Sequence, residues 1–186
     1  MMGRRYKKER ELREIFLVFC EGQTEKEYVE VLKRYYRLPI TIKTKVSGAN
    51  ITQRFVNQCV KELALTPNEK CSIFYMYDAD VEAVTERLTG LRGTAVLSNP
   101  CMEFWFILHS KDFVKRINSS DAIKVLAQSG LCWKSYKKGY LSSEQQKMLI
   151  DKRHDAVKRA NKLQYPNNPS SNIYKFIELL ERVKID

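Results

Sequence analysis

The chain of 186 residues has little of what marks repetitive, secreted or membrane-spanning proteins. Its 7 Gly and 5 Pro exclude a collagen-like or low-complexity protein. The longest apolar runs, residues 15–20 and 104–108, are far too short to cross a bilayer, so we expect no membrane partner. The basic N-terminal stretch lacks the apolar segment and the small-residue cleavage site of a signal peptide. These absences predict a soluble, cytoplasmic protein.

Cysteine and histidine are too sparsely placed to form the sites they usually build. The five cysteines are widely spaced and include no C-x-x-C pair. An odd number of scattered thiols is typical of a reduced intracellular protein and not of a disulfide framework. Because His109 and His154 are the only histidines, we expect no zinc site of Cys and His ligands.

Positive charge is abundant and unevenly distributed. The sequence has 33 Lys and Arg against 22 Asp and Glu, a net charge of +11, of which residues 1–13 carry +4 and residues 134–162 carry +6. This distribution favours a phosphate-rich partner, either DNA or RNA, although a basic surface that only aids solubility is the alternative. Aromatic residues lie among the bases, as in many nucleic-acid-binding segments: Trp133, Tyr136 and Tyr140. The predicted nucleic-acid-binding residues are Lys134, Lys137, Lys138, Lys152 and Arg153.

Apolar patterns predict an α/β fold. Continuous apolar runs over 14–20 and 72–77 predict two strands buried on both faces, and shorter patterns predict strands over 40–46 and 94–97. Capping signals predict helix starts at three places, namely Thr24 with Glu27, Asn50 with Gln53, and Asn99–Pro100 before an apolar helix over 101–109. Further helices are predicted over 81–88, 121–128, 143–163 and 171–183.

The alternation of strands and helices predicts a mostly parallel sheet flanked by helices. We expect a single domain over residues 1–186, with an α/β core over 14–110 and a basic helical extension over 111–186. The sequence shows no repeat and no linker that would require two independent domains.

Three carboxylates follow the two buried strands. Glu21 comes directly after the first strand, and Asp78 and Asp80 come after the second. Ligands of open parallel sheets bind at the carboxyl ends of the strands, so these acids converge if the two strands are neighbours. Their mutual repulsion would be relieved by a hard divalent cation, Mg²⁺ or Mn²⁺, which prefers carboxylate oxygens. The alternative is that these acids only end strands and open turns.

Two further glutamates are candidates for the same site. Glu25 stands four residues after Glu21, where it could bind a metal or only respond to the positive end of a helix. Glu103 lies in an otherwise apolar helix, so its carboxylate needs a partner inside the protein. That partner is either a structural cation, in a salt bridge, or the acidic site itself, and both interpretations stay open.

Five segments resemble the RloB-like family of prokaryotic proteins. They are F-C-E-G-Q-T-E (19–25), Y-D-A-D (77–80), S-N-P-C-M-E-F-W-F-I-L-H (98–109), K-K-G-Y (137–140) and N-P-S-S-N-I-Y-K (168–175). The resemblance implies a Toprim-like (Rossmann-like) fold, an ATPase as partner protein and a role in anti-phage defence. It also implies that Glu21, Asp78 and Asp80 hold Mg²⁺.

The leading interpretation is a Mg²⁺-dependent nuclease that cleaves phosphodiester bonds in DNA or RNA. In this interpretation Glu21, Asp78, Asp80 and Glu103 are catalytic and Glu25 joins the metal site. The rival is a Toprim-like module that binds nucleic acid or an ATPase without cleaving. The rival is favoured by Ala79 and Val81, which stand where the family usually has Arg and Asp. A D-x-D phosphotransferase is disfavoured, because the Thr expected two places after the second Asp is absent.

Overall fold

A computed structural model describes residues 13–185, so the predicted basic arm over 1–13 lies almost entirely outside the described residues. Five strands were found: β1 (Arg13–Cys20), β2 (Thr41–Val46), β3 (Glu69–Asp78), β4 (Thr94–Asn99) and β5 (Ser170–Ser171). Four helices accompany the first four strands: α1 (Gln23–Tyr36), α2 (Gln53–Glu62), α3 (Glu82–Thr89) and α4 (Met102–Ser110). The rest of the chain adds α5 (Ser119–Ala127), a 3₁₀ turn (Leu131–Trp133), α6 (Ser143–Asp151), α7 (Arg153–Ala160) and α8 (Tyr174–Ile185).

The strands form one sheet in the order β2-β1-β3-β4-β5. The first four strands are parallel, and β5 runs antiparallel to β4. β1 lies between β2 and β3, with Val18 opposite Thr44 on one side and Phe74 on the other. The predicted α/β class with a mostly parallel sheet is confirmed, and the arrangement is consistent with a Rossmann-like fold.

Helices cover both faces of the sheet, which explains why β1 reads as a continuous apolar run. Phe16 and Val18 pack into a core formed with α1 and with α4 to α8. Leu17 and Phe19 point the other way, into a smaller core formed with α2 and α3. Each face of the strand is therefore buried.

The part of the chain after residue 110 shares the larger core. In α8, the ring of Phe176 lies 5.1 Å from the ring of Phe74 in β3 and 6.3 Å from that of Phe16 in β1. α4 packs against α5 and α7, and all its residues from 102 to 109 are buried. The predicted apolar, buried helix is therefore confirmed.

Two predicted helix caps are wrong. α1 begins at Gln23 and its N-cap is Gly22, whose N–H donates a hydrogen bond to the Glu25 carboxylate at 2.8 Å. The Thr24 hydroxyl, which the sequence assigned to capping, instead accepts one from the distant Gly139 N–H. α2 is capped by Thr52 rather than by Asn50. In both cases the actual cap lies two residues from the predicted one.

The predicted start of α4 is also wrong. The N-cap is Cys101, not Asn99, and Pro100 precedes the helix instead of opening it. The first turn is satisfied from outside the helix, because Asp78 of β3 accepts a hydrogen bond from the Met102 N–H at 2.8 Å. A cap supplied by another strand cannot be read from local sequence.

Two further boundaries differ from the sequence prediction. The helix predicted over 143–163 is interrupted at Lys152, which ends α6 and precedes α7. The helix predicted over 171–183 begins only at Tyr174, because Ser170–Ser171 form the short strand β5. Among the described residues, no helix is both long and apolar enough to cross a bilayer.

Asn172 completes the edge of the sheet beside β4. Its side-chain amide accepts a hydrogen bond from the Leu97 N–H and donates one to the Ala95 carbonyl. The amide thus satisfies two backbone groups of β4 that a neighbouring strand would otherwise pair with. Each buried group that loses such a partner costs about 1–3 kcal/mol. We predict that Asn172→Ala lowers the free energy of unfolding by about 2–4 kcal/mol, measured by urea denaturation. Asn161→Ala, at an exposed site, should change it by less than about 0.5 kcal/mol. Equal effects of the two substitutions would contradict this role.

Candidate metal and nucleic-acid site

The acidic residues lie where the strand order of the sheet reverses. From β1 the chain first adds β2 on one side and then β3 on the other, so the loops after β1 and β3 diverge. A crevice at the carboxyl ends of such strands is the usual ligand site of open α/β sheets. Glu21 follows β1 and Asp78 ends β3, so the pairing of these strands brings both residues to that crevice.

Glu21 and Asp78 are connected through backbone amides. The Glu21 N–H donates to the Met76 carbonyl, which extends the β1–β3 ladder by one residue. The Glu21 carboxylate in turn accepts a hydrogen bond from the Asp78 N–H at 3.0 Å. Asp78 then accepts one from Met102 at the N-terminus of α4. Both carboxylates are thereby held at the edge of the crevice.

Glu25 and Glu103 are the more deeply buried members of the group. They are 5% and 1% exposed, respectively. One oxygen of Glu103 accepts a hydrogen bond from the Tyr136 hydroxyl at 2.8 Å, whereas Oε2 has no partner among the described residues. An orphaned carboxylate oxygen inside a protein is costly and indicates a missing hydrogen-bond donor, water or cation. We name Glu21, Glu25, Asp78 and Glu103 the acidic cluster.

A basic side chain from the C-terminal part of the chain reaches the acidic cluster. The ammonium group of Lys138 lies 3.6 Å from Oε1 of Glu103, and the Lys138 side chain is 53% exposed. Lys138 and Gly139 also line a cavity of about 310 Å³ together with Glu21, Glu25 and Asp78. For Glu103 the structure therefore combines both sequence interpretations, because its head lies in the acidic site and contacts a cation there.

Burial and mutual repulsion shift the protonation of these groups. Burial, followed by the charges of Glu25, Glu103 and Glu21, raises the pKa of Asp78 well above its ordinary value. Burial is also the main reason that the pKa values of Glu21 and Glu25 are raised. For Lys138, burial alone would lower the pKa, but nearby Glu103 and Asp78 outweigh it and raise the pKa. The acidic cluster is thus short of positive charge.

Asp80 lies beside the acidic cluster and faces another element. β3 ends at Asp78, and the exposed Asp80 carboxylate accepts a hydrogen bond from the Ser119 hydroxyl of α5 at 2.7 Å. It lines a larger cavity of about 860 Å³ with residues that include Asn99 and Arg116. The two aspartates of the D-x-D motif therefore contact different elements, Asp78 contacting α4 and Asp80 contacting α5, although the sequence predicted that the three acids converge.

As placed, the candidate metal ligands do not form a ready-made set. Within residues 13–185, no three acidic, His or Cys side chains stand close enough together to hold a metal ion. Glu21, Glu25 and Asp78 instead accept hydrogen bonds from backbone amides. Their chemistry fits Mg²⁺ or Mn²⁺, which favour carboxylate oxygens, and the unpartnered oxygen of Glu103 fits a missing cation. Metal binding would require these carboxylates to move closer together.

The predicted basic residues fall into two separate groups. Lys138 contacts Glu103 of the acidic cluster, and Lys134 and Lys137 precede it on the segment whose Gly139 docks against the start of α1. Arg153 lies at the other end of α1, where it pairs with Glu181 and covers the ring of Tyr35, and Lys152 precedes it in the chain. A helix of the length of α1 spans about 21 Å, so the two groups are well separated.

Several residues of the site could not be recognised from the sequence as readily as the acidic residues. Tyr136 was singled out only as an aromatic in a basic segment, yet it binds Glu103. Thr24 and Gly139 join α1 to the K-K-G-Y segment through the Gly139 N–H, at 3.0 Å. Ser119 could not be found from local sequence, because its contact with Asp80 links residues 39 positions apart.

Comparison with known proteins gives one match. A family model described as RloB-like protein matches residues 16–180, which is nearly the whole chain. No curated protein and no solved structure matches the chain significantly.

The raised pKa of Asp78 predicts how stability depends on pH without metal. The folded protein retains a proton that the unfolded chain releases, so this contribution to stability is lost as the pH rises above the ordinary carboxyl pKa of about 4. In Asp78→Asn the group no longer titrates, and the amide oxygen can still accept the Met102 hydrogen bond. Between pH 5 and 7.5, in EDTA, we expect the wild type to lose more stability with rising pH than this variant does.

Denaturant titrations across this pH range measure the difference. Asp121→Asn is the matched control, because hydrogen bonds from Lys124 and Asn118 lower the pKa of the exposed Asp121 carboxyl. Its titration therefore falls below the range, and this variant should follow the pH profile of the wild type. Parallel profiles for wild type and Asp78→Asn would refute a raised pKa of Asp78.

Proposed function

The chain belongs to the RloB-like protein family, and from that premise we propose that it is a metal-dependent nuclease acting at the acidic cluster. The observation that carries the proposal is the burial of Glu103, one oxygen of which has no partner within residues 13–185, in a crevice where four carboxylates neighbour the ammonium of Lys138. Such an excess of negative charge is relieved either by protonation or by a cation. Nucleic acid is the proposed substrate, because the segment carrying Lys138 is strongly basic.

Glu21, Glu25, Asp78 and Glu103 would supply the oxygen ligands for Mg²⁺ or Mn²⁺, with Asp80 beside them. When bound, the metal would polarise the scissile phosphate and offset charge on the leaving oxygen. Glu21 is the proposed proton acceptor, because its raised pKa brings it nearer to the range in which a carboxylate is an effective base. Lys138 would stabilise negative charge that develops on the phosphate.

A non-catalytic binding module is the second candidate function. The observation that favours it is the occupation of Glu21, Glu25 and Asp78 by backbone amides, together with the presence of Lys138 at Glu103. In that case the ammonium of Lys138 would be a permanent counter-ion and the site would take no metal. An ATPase partner, a defence role and a cytoplasmic location stay predictions, which the following assays do not address.

Metal binding and cleavage separate the two candidates. We predict that Mg²⁺ or Mn²⁺ binds the wild type in calorimetry, and that Asp78→Asn and Glu103→Gln weaken binding by more than about 10-fold. Cleavage of duplex DNA, single-stranded DNA and tRNA should require the metal and stop in EDTA. Both substitutions should slow it by at least about 100-fold, because the metal contributes several kcal/mol to catalysis.

Glu86→Gln is the matched control, because it removes an exposed carboxylate from α3, outside the acidic cluster. It should leave both metal binding and cleavage unchanged. Equal metal binding by wild type and Asp78→Asn would exclude this metal site. Binding of nucleic acid with neither metal binding nor cleavage of the three substrates would support the binding module instead.

Nucleic-acid affinity should be mainly electrostatic near the acidic cluster. We predict that Lys134→Gln combined with Lys137→Gln makes the slope of log affinity against log salt shallower, by about 0.7–0.9 for each lost phosphate contact. Lys152→Gln combined with Lys158→Gln, an exposed lysine of α7, removes the same charge from the helix that carries Arg153. This double variant tests whether the binding surface extends to the distant group. Fluorescence anisotropy at several salt concentrations measures both slopes. A slope that changes only in the distant variant would place the surface at the other end of α1.

A further inference from the structure

Of the three aromatic residues that lie among the bases, Trp133, Tyr136 and Tyr140, only Tyr140 is well exposed. Trp133 is fully buried and stacks on Phe106, with ring centroids 5.5 Å apart. Tyr136 is partly buried and donates its hydroxyl hydrogen bond to Glu103. The side chain of Tyr140, in contrast, is 63% exposed. A large aromatic side chain at such a position is available to a partner.

The backbone that carries Tyr140 is held in place. The Tyr140 N–H donates to the Lys137 carbonyl, and the two residues form a bridge that closes a tight turn. At the tip of the turn, the Gly139 N–H donates to the Thr24 hydroxyl of α1 at 3.0 Å. Gly139 has a φ of +79°, and an added Cβ would lie only 3.2 Å from Cβ of Gln23. The turn is thus closely docked on α1, whereas the ring of Tyr140 is unobstructed.

This turn lies at one side of the acidic cluster. Lys138, two residues before Tyr140, contacts Glu103 and lines the smaller cavity with Asp78. The next residues after Asp78 in the chain, Ala79 and Asp80, line the larger cavity. Asp78 therefore borders the smaller cavity beside the Tyr140 turn, and the two residues that follow it border the larger cavity of about 860 Å³. A polynucleotide that reaches from one cavity to the other passes Asp78.

Positive charge accompanies this path at both ends. Lys137, which pairs with Tyr140 in the turn, is exposed, as is Lys134 three residues earlier in the chain. Arg116 is exposed at the larger cavity. Exposed aromatic rings combined with a basic track are the features by which proteins bind single strands, since an unpaired base offers a face for stacking. In a duplex those faces are covered by neighbouring base pairs.

We propose that Tyr140 is a stacking platform for an unpaired base and that the site takes single-stranded DNA or RNA. The inference deepens the proposed function, on which it rests, by naming the substrate class of the same site. It assigns to the K-K-G-Y turn two tasks: Lys138 faces the acidic cluster and Tyr140 orients the nucleotide beside it.

Binding assays in EDTA test the platform independently of catalysis. The probes are fluorescein-labelled DNA and RNA oligonucleotides of about 15 nucleotides and mixed sequence, with the matching duplexes, measured by fluorescence anisotropy on the full chain. The wild type should prefer the single strands. Tyr140→Ala should weaken single-strand binding by about 5- to 150-fold, the loss expected for one stacked base. Tyr140→Phe, which keeps the ring, should retain wild-type affinity.

Two controls distinguish stacking from charge and from loss of structure. An abasic oligonucleotide of the same length should bind wild type and Tyr140→Ala equally, because it has no base to stack. Tyr35→Ala removes a tyrosine from the other end of α1, where the ring is covered by Arg153 and Lys184, and should not affect single-strand binding.

The proposal is overturned if the wild type binds duplex as tightly as single strands, or binds neither. It is also overturned if Tyr140→Ala leaves single-strand affinity unchanged or weakens abasic binding to the same extent. These outcomes are separate from failure of the nuclease. Protein that stacks a base through Tyr140 but cleaves nothing supports the platform alone, whereas metal-dependent cleavage that is indifferent to Tyr140 supports the nuclease and refutes the platform.

Discussion

The parallel pairing of β1 with β3 is the contact on which the rest of the site depends. It places Glu21 one residue beyond β1, where its carboxylate accepts the Asp78 N–H, and Asp78 then caps α4 through Met102. A slip of one residue in this register would turn every side chain of β1 to the opposite face, exchanging its two cores. The same register that buries Phe16 and Leu17 on opposite faces therefore also assembles the crevice.

An imbalance of charge links this fold to the proposed chemistry. Four carboxylates lie at the crevice, and the cation Lys138 contacts one of them, Glu103. Burial removes the Asp78 carboxylate from water and so raises its pKa, and the charges of Glu25, Glu103 and Glu21 raise it further. Protonation and metal binding are two solutions to one electrostatic problem, so the metal-free protein at low pH and the proposed metal-bound protein relieve the same repulsion.

The C-terminal part of the chain completes the site as well as the core. α8 places Phe176 on the sheet, and the segment before α6 brings Tyr136 and Lys138 to Glu103. Gly139 fixes that segment to α1. The sequence predicted a core over 14–110 and an extension over 111–186. Residues from both parts contribute to one hydrophobic core and to one crevice.

The sequence by itself determined the features that depend on neighbouring residues or on a periodic apolar pattern. The two apolar runs predicted the central strands, their end points predicted where Glu21 and Asp78 would meet, and the apolar surroundings of Glu103 predicted its burial. Only the tertiary structure decided which groups these acids contact. Asp78 caps α4 and Asp80 bonds to Ser119 of α5, although an extended D-x-D pattern places both side chains alike. The reason is physical: a hydrogen bond between residues far apart in the chain leaves no periodic trace in the sequence, whereas burial of a strand or helix does.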